Sequence, residues 1–269
     1  MHQPTREPLT AGTADRHRLY QEAVQDPAED VRTVQTIARE MSSRNPQSVR
    51  EDFCGTAIFS TEWVRNQPEA TAVGIDLDPE VVDWGRARHV AELGEGDGTL
   101  ELIVGDVLQA DSRRFDVVCA MNFSYFIFKQ RAEMLAYFES VRDSLVDDGV
   151  LVLDFYGGTE AGEVMEEERE EDGFDFVWDQ AEVNPIDNSI VNHIHFRFPD
   201  GSSINEAFTY RWRLWQIPEI VDILREVGFS DVGVFWEGED SDGDGDGEFT
   251  RKTTGDNDPG WIAYIGARR

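Results

Sequence analysis

The chain has 269 residues, 40% of them hydrophobic and 11% aromatic, enough for a sizeable core and too many for a fully disordered protein. Its 55 acidic residues against 24 basic ones leave a formal net charge of −31, so the chain repels itself strongly at low salt. Lys129 and Lys252 are the only lysines, all other basic residues being arginines; this carboxylate-rich, lysine-poor composition fits the cytosol of a halophile, where the Debye length falls to ~3 Å at molar salt.

The segment from Ala14 to Val24 reads as a helix. Asp26-Pro27-Ala28-Glu29 opens a second, with a side-chain cap, a proline at the first helical position and an acid at the third. Val31, Val34, Ile37, Ala38 and Met41 continue it at helical spacing. A strand is predicted over Ser48 to Phe53, a turn at Cys54-Gly55-Thr56 and a helix over Ile58 to Arg65. Thr71 to Leu77 is a buried strand, and Asp78-Pro79-Glu80 starts the next helix. Leu100 to Val104 and Phe115 to Met121 are further strands, Gln130 to Val146 a helix, and Gly149 to Phe155 a fifth strand. Short apolar strands alternating with helices imply a parallel sheet covered on both faces.

The pattern changes after Gly158. Glu166 to Asp172 reads as a solvated charged segment, followed by three β-like runs, Phe174 to Trp178, Ser189 to Phe198 and Ile204 to Trp215, which look like an antiparallel insertion. A helix over Pro218 to Val227 ends at Gly228, which suits a left-handed cap. Asp231 to Trp236 and Trp261 to Ile265 close the fold as an antiparallel pair. Between them Glu237 to Glu248 reads as a flexible solvated loop. Asp240, Asp242, Asp244 and Gly245 begin like a calcium-binding loop, but Arg251 stands at its twelfth position, so no calcium site is predicted.

The chemistry lies at the carboxyl ends of the predicted parallel strands, where open α/β sheets bind ligands. Successive strands end in Glu51-Asp52-Phe53-Cys54-Gly55-Thr56-Ala57, Gly74-Ile75-Asp76, Gly105-Asp106-Val107 and Met121-Asn122-Phe123-Ser124-Tyr125. Asp76 follows Gly55 at about 20 residues, a spacing at which an acid meets a ribose hydroxyl. A pyrophosphate site does not fit: the first turn holds one glycine, no basic residue follows, and Glu51 would repel an anion. The pocket suits a positively charged nucleoside better.

On these segments the chain resembles the class I S-adenosylmethionine-dependent methyltransferases. The resemblance runs from about residue 15 to the C-terminus and rests on Val49 to Ala57, Val73 to Asp78, Leu102 to Val107, Phe115 to Asn122 and Gly149 to Asp154. It implies a Rossmann-like, doubly wound α/β fold with a mostly parallel seven-stranded sheet and an antiparallel β insertion after strand five. It implies S-adenosylmethionine as cofactor and methyl transfer to a small molecule as the activity. Glu51 takes the position that organises the methionine amino end, and Gly55 that of the glycine letting backbone approach the cofactor. Asp76, beside Leu77, matches the ribose acid. Asp106 and Val107 match the residues facing the adenine, and Asn122 sits where the chain approaches the methionine moiety. The family's first motif carries two further glycines where this chain has Phe53 and Ala57, and Phe53 would narrow the cleft. Tyr20 and Gln25, by the first helix, either fold over the cofactor or pack that helix.

The second substrate is expected between the sheet and the insertion. His193, His195 and Arg197 alternate onto one strand face, which is either solvated or a substrate wall. His193, His195 and Tyr156 are the candidates for a general base. Tyr210, Trp212 and Leu214 form another face, read as core rather than aromatic cage. No metal is expected, because the His-x-His pair lacks further ligands. In chain order, residues 14–46 form an N-terminal helical cap, 47–158 the cofactor-binding core, 159–215 the insertion, and 216–269 the closing helix and strands, all in one domain. Cys54 and Cys119 read as buried reduced thiols, and the opening residues contain no apolar signal region, so a soluble cytosolic protein is expected. Arg113-Arg114 and Arg211-Trp212-Arg213 are isolated, so neither nucleic acid nor a membrane is an expected partner. A non-catalytic S-adenosylmethionine-binding or regulatory protein on the same fold is the alternative.

Overall fold

The computed structural model describes residues 9–109, 112–239 and 245–269, and the chain divides into two compact units. The larger comprises residues 27–161 and 215–269. It is built on one sheet of eight strands: β1 (Ser48–Asp52), β2 (Thr71–Asp76), β3 (Thr99–Val104), β4 (Phe115–Ala120), β5 (Leu145–Gly157), β10 (Asp231–Glu239), β11 (Gly245–Lys252) and β12 (Trp261–Arg268). Their order is β11-β10-β12-β5-β4-β1-β2-β3. The five strands from β3 to β5 are parallel, and β12, β10 and β11 extend the sheet antiparallel. The expected parallel core and closing pair are therefore present, but the sheet has eight strands rather than seven. Gly245 to Lys252 pairs with β10, so both described ends of the predicted flexible loop are strand. Asp240, Asp242 and Asp244 lie outside the described residues.

The helices of this unit are α2 (Pro27–Met41), α3 (Ile58–Val64), α4 (Pro79–Arg88), α5 (Arg131–Ser144) and α6 (Ile217–Val227). Local chemistry sets their ends. Asp78 accepts the Glu80 amide and Pro79 follows it at the first helical position. Glu133 and Glu219 close capping boxes with Gln130 and Gln216. Gly228 ends α6 at φ 99°, the left-handed cap read from the sequence. Val34, Ile37, Ala38 and Met41 of α2 pack with Phe59 and Trp63 of α3 on Val49, Val117 and Val152 of the sheet.

The smaller unit holds residues 162–214 with the N-terminal segment, including α1 (Arg16–Val24), whose cap Asp15 accepts the His17 and Arg18 amides. Its antiparallel sheet runs β6 (Met165–Glu171), β7 (Phe174–Asn184), β8 (Ser189–Arg197) and β9 (Ser203–Arg213). The Glu-rich segment is therefore not a free solvated stretch. It is an edge strand paired with β7 from Met165↔Gln180 to Glu171↔Phe174. Strand pairing uses backbone groups, which an exposed charged side chain does not prevent, and charge on an edge discourages further pairing. Leu19 of α1 packs with Phe174, Phe176, Ile194 and Phe196. Among the described residues no helix is long and apolar enough to cross a membrane.

Candidate functional site

Register places the predicted residues at one edge of the larger sheet. Asp52 lies beside Ile75 and Ala120, Ile75 beside Ile103, and Ala120 beside Leu153. The residues just beyond, from Phe53 to Ala57 with Asp76, Asp106, Asn122 and Asp154, therefore share the carboxyl end.

The first turn is built from left-handed backbone. Phe53, Gly55 and Ala57 have φ of 59°, 52° and 58°, so all three positions where the family places glycine adopt the conformation glycine favours. Phe53 directs its ring onto Phe128 and Tyr137, with centroids 5.9 and 5.8 Å away. Ala57 is fully buried, packed with Cys54, Val81, Val82 and Leu102. Gly55 is the open position: a Cβ there would meet no atom within 4 Å, so its backbone face is bare.

Asp76 ties this turn to β2. One carboxylate oxygen accepts the Gly55 amide at 2.8 Å and the other the Asp78 amide at 2.9 Å. Leu77 beside it is 64% exposed, an apolar side chain left at the site. Asp106 accepts the Leu108 amide at 2.9 Å, and Val107 is buried. Glu51 is buried and accepts both the Ser60 amide (3.1 Å) and its hydroxyl (2.5 Å), which ties β1 to the first turn of α3. Burial, opposed by those bonds, pushes its carboxyl up to about 8. Cys54 and Cys119 are buried and free, as read from the sequence, and burial holds both thiols well above their usual range.

Two features were missed by sequence reasoning. Asp154, at the carboxyl end of β5, accepts the amides of Asn122 (2.5 Å) and Phe123 (2.9 Å), and burial lifts its carboxyl to about 7. It stood in an apolar run, where the one signal was an acid too deep in a strand to be solvated. The second is a buried polar cluster under the first turn. Arg50 donates to Asp52 at 2.8 Å and to the Ser144 hydroxyl at 2.6 Å, and the Tyr137 hydroxyl donates to Asp52 at 3.0 Å. Burial raises the Asp52 carboxyl despite the arginine.

The candidate bases belong to different units. Tyr156, near the end of β5, has its ring 4.7 Å from that of Phe123. His193 and His195 belong to β8 of the smaller unit. His195 accepts the Glu206 amide through Nδ1 at 2.9 Å, which leaves the ring proton on Nε2, 3.3 Å from Asp179 Oδ2. Both its nitrogens are thus engaged inside the sheet. His193 Nδ1 lies 2.9 Å from the Thr209 hydroxyl. Arg197 pairs with Glu166 at 2.6 Å and with Glu168. Tyr20 lies on α1 of the same unit, its ring 5.1 Å from Phe208, and the Tyr210 and Trp212 rings stack at 4.5 Å.

Residues 54–151 match the family model described as a methyltransferase domain. No curated protein matches the chain in a sequence search. Solved structures similar to it include an S-adenosylmethionine-dependent methyltransferase from Clostridium acetobutylicum (15% identity, TM-score 0.69, covering 93% of this chain and 96% of that one). The S-adenosylmethionine-bound amino pentose methyltransferase CalS10 from Micromonospora echinaspora is 17% identical, with TM-score 0.66 and coverage of 94% and 96%. The sugar N-methyltransferase KedS8 from Streptoalloteichus is 19% identical, with TM-score 0.62 and full coverage of both chains (100% and 100%). Residues 54–151 thus match a methyltransferase-domain model, and the chain has the fold of solved S-adenosylmethionine-dependent methyltransferases.

Proposed function

We propose that the protein transfers a methyl group from S-adenosylmethionine to a small molecule, and that the accepting atom is an amine of a sugar-like compound. The observation that carries the cofactor assignment is the set of acids at one sheet edge: Asp76 accepts the amide of the open Gly55, while Glu51 lies near the end of the neighbouring strand β1 and Asp106 just beyond β3. Acids with an open glycine backbone suit a cationic nucleoside and repel a dinucleotide pyrophosphate. Asp76 would hold the ribose hydroxyls, Asp106 and Val107 the adenine, and Glu51 and Asn122 the methionine end. Leu77 would pack on the base, and Phe53 would border the site.

When bound, the cofactor supplies a methyl group already activated by its sulfonium. The chain's part is to orient donor and acceptor in line, which is worth up to ~7–11 kcal/mol. A neutral amine attacks with its own lone pair and loses its proton afterwards to water, so the reaction proceeds without a buried general base. This agrees with the engagement of both His195 nitrogens and requires no base from His193 or Tyr156. The amine-sugar reading is supported by the activities that CalS10 and KedS8 are named for. The test is label transfer at molar salt from methyl-labelled S-adenosylmethionine to a panel of nucleotide-linked amino sugars and their hydroxy-sugar counterparts. Label in an amino sugar is expected. Transfer to the hydroxy sugars alone would reject the amine, and cofactor binding without transfer to any metabolite of a cell extract would favour a binding-only protein.

We further infer a halophilic, cytosolic setting and no nucleic-acid partner. The scarcity of lysine, the reduced buried thiols and the exposed acidic edge strand β6 support this reading.

A further inference from the structure

Asp154 has no place in the set of acids above, yet its geometry is specific. Its side chain is 6% exposed, at the end of the central strand β5. The two carboxylate oxygens each accept one backbone amide, from the consecutive residues Asn122 and Phe123. Those residues have φ of 56° and 57°, so two side-chain-bearing residues in succession hold left-handed backbone just past β4. Such residues persist only where surrounding structure over-determines them. Here a single carboxylate gathers both amides, while the Asp154 backbone carbonyl separately accepts the Tyr125 hydroxyl at 2.8 Å. Asn122 itself remains half-buried at the edge where the cofactor's methionine end is assigned.

We propose that Asp154 is a positioning residue for the cofactor: its carboxylate sets the left-handed turn that presents Asn122 before any cofactor arrives. The inference rests on the S-adenosylmethionine reading. Two acceptor oxygens are needed because two amide donors converge on one side chain. An asparagine there offers one oxygen and turns an NH2 toward an amide N–H, so one donor loses its partner.

The test is calorimetric titration with S-adenosylmethionine at molar salt, well below the melting temperature, for wild type, Asp154→Asn and Tyr125→Phe. Tyr125→Phe removes the neighbouring hydroxyl and leaves the carboxylate in place. Asp154→Asn is expected to raise Kd about tenfold or more, the effect of one lost charge-assisted bond, while Tyr125→Phe stays within about threefold. A role confined to stability would lower the melting temperature of both variants and leave both affinities near wild type, which would overturn the proposal. Absence of binding to wild type would instead sink the cofactor reading, and the proposal with it. Amide hydrogen exchange on wild type covers the case in which Asp154→Asn fails to fold. Asn122 and Phe123 are expected to be protected already without cofactor; free exchange that becomes protected only on adding S-adenosylmethionine would overturn the preset turn.

Discussion

At Phe53 and Ala57 side chains occupy backbone that costs roughly 1–2 kcal/mol per residue outside glycine. Phe53 offsets this with two aromatic contacts and Ala57 with a fully buried methyl, so the turn holds left-handed backbone at both positions without glycine. Glu51 shows a second residue-scale effect. Burial lifts its carboxyl from an ordinary 4.5 to about 8 in the folded chain, so folding favours the protonated acid. Its contribution to stability is full below the unfolded value and is lost as pH rises through 8. A cationic ligand favours the ionised form, so cofactor binding at pH 7 should release protons. Binding heats at that pH are expected to differ between phosphate and Tris buffers, and to differ less in Glu51→Gln. Equal heats in the two buffers for wild type would contradict this state of Glu51.

At the scale of elements, α4 and the first turn are fitted through Gly85. A Cβ there would stand 2.3 Å from the Thr56 carbonyl oxygen, a backbone atom that moves only with the turn. Alanine is the better helix former by ~1 kcal/mol, and the contact opposes it. Gly85→Ala is expected to lower the melting temperature and weaken S-adenosylmethionine binding, whereas a raised melting temperature would show that helix propensity dominates. This contact was not legible in the sequence, because it joins segments that meet only in the folded sheet. What was legible is local. Asp26-Pro27, Asp78-Pro79 and Gly228 announce helix ends through chemistry within a few residues, and β2 to β5 announce themselves by apolar runs. Strands β6 and β11 carry charge and glycine, and they form because a neighbouring strand offers unpaired backbone. The acids ending β1, β2 and β3 were readable from their spacing. Asp154 and the Arg50–Asp52 pair were not, because their partners Asn122, Tyr137 and Ser144 come from other elements.

Over the whole molecule, the net charge of −31 acts mainly on stability. Many arginines are paired at the surface, as in Arg131–Glu226 and Arg251–Asp231, but exposed pairs contribute little each and leave most acids uncompensated. Screening should therefore stabilise the fold. The melting temperature is expected to rise between about 0.1 M and about 3 M KCl, and equal values at both salts would contradict adaptation to salt. On the proposed reading the same screening would remove most of the net charge's influence on partner choice and leave the few acids at the sheet edge to decide what binds. The direct test of that claim is calorimetric titration of S-adenosylmethionine at molar salt into wild type and Asp76→Ala. Saturable binding to wild type, weakened at least about tenfold by loss of the charged acceptor, is the predicted result; no heat from folded wild type, or equal affinity in the variant, would contradict it.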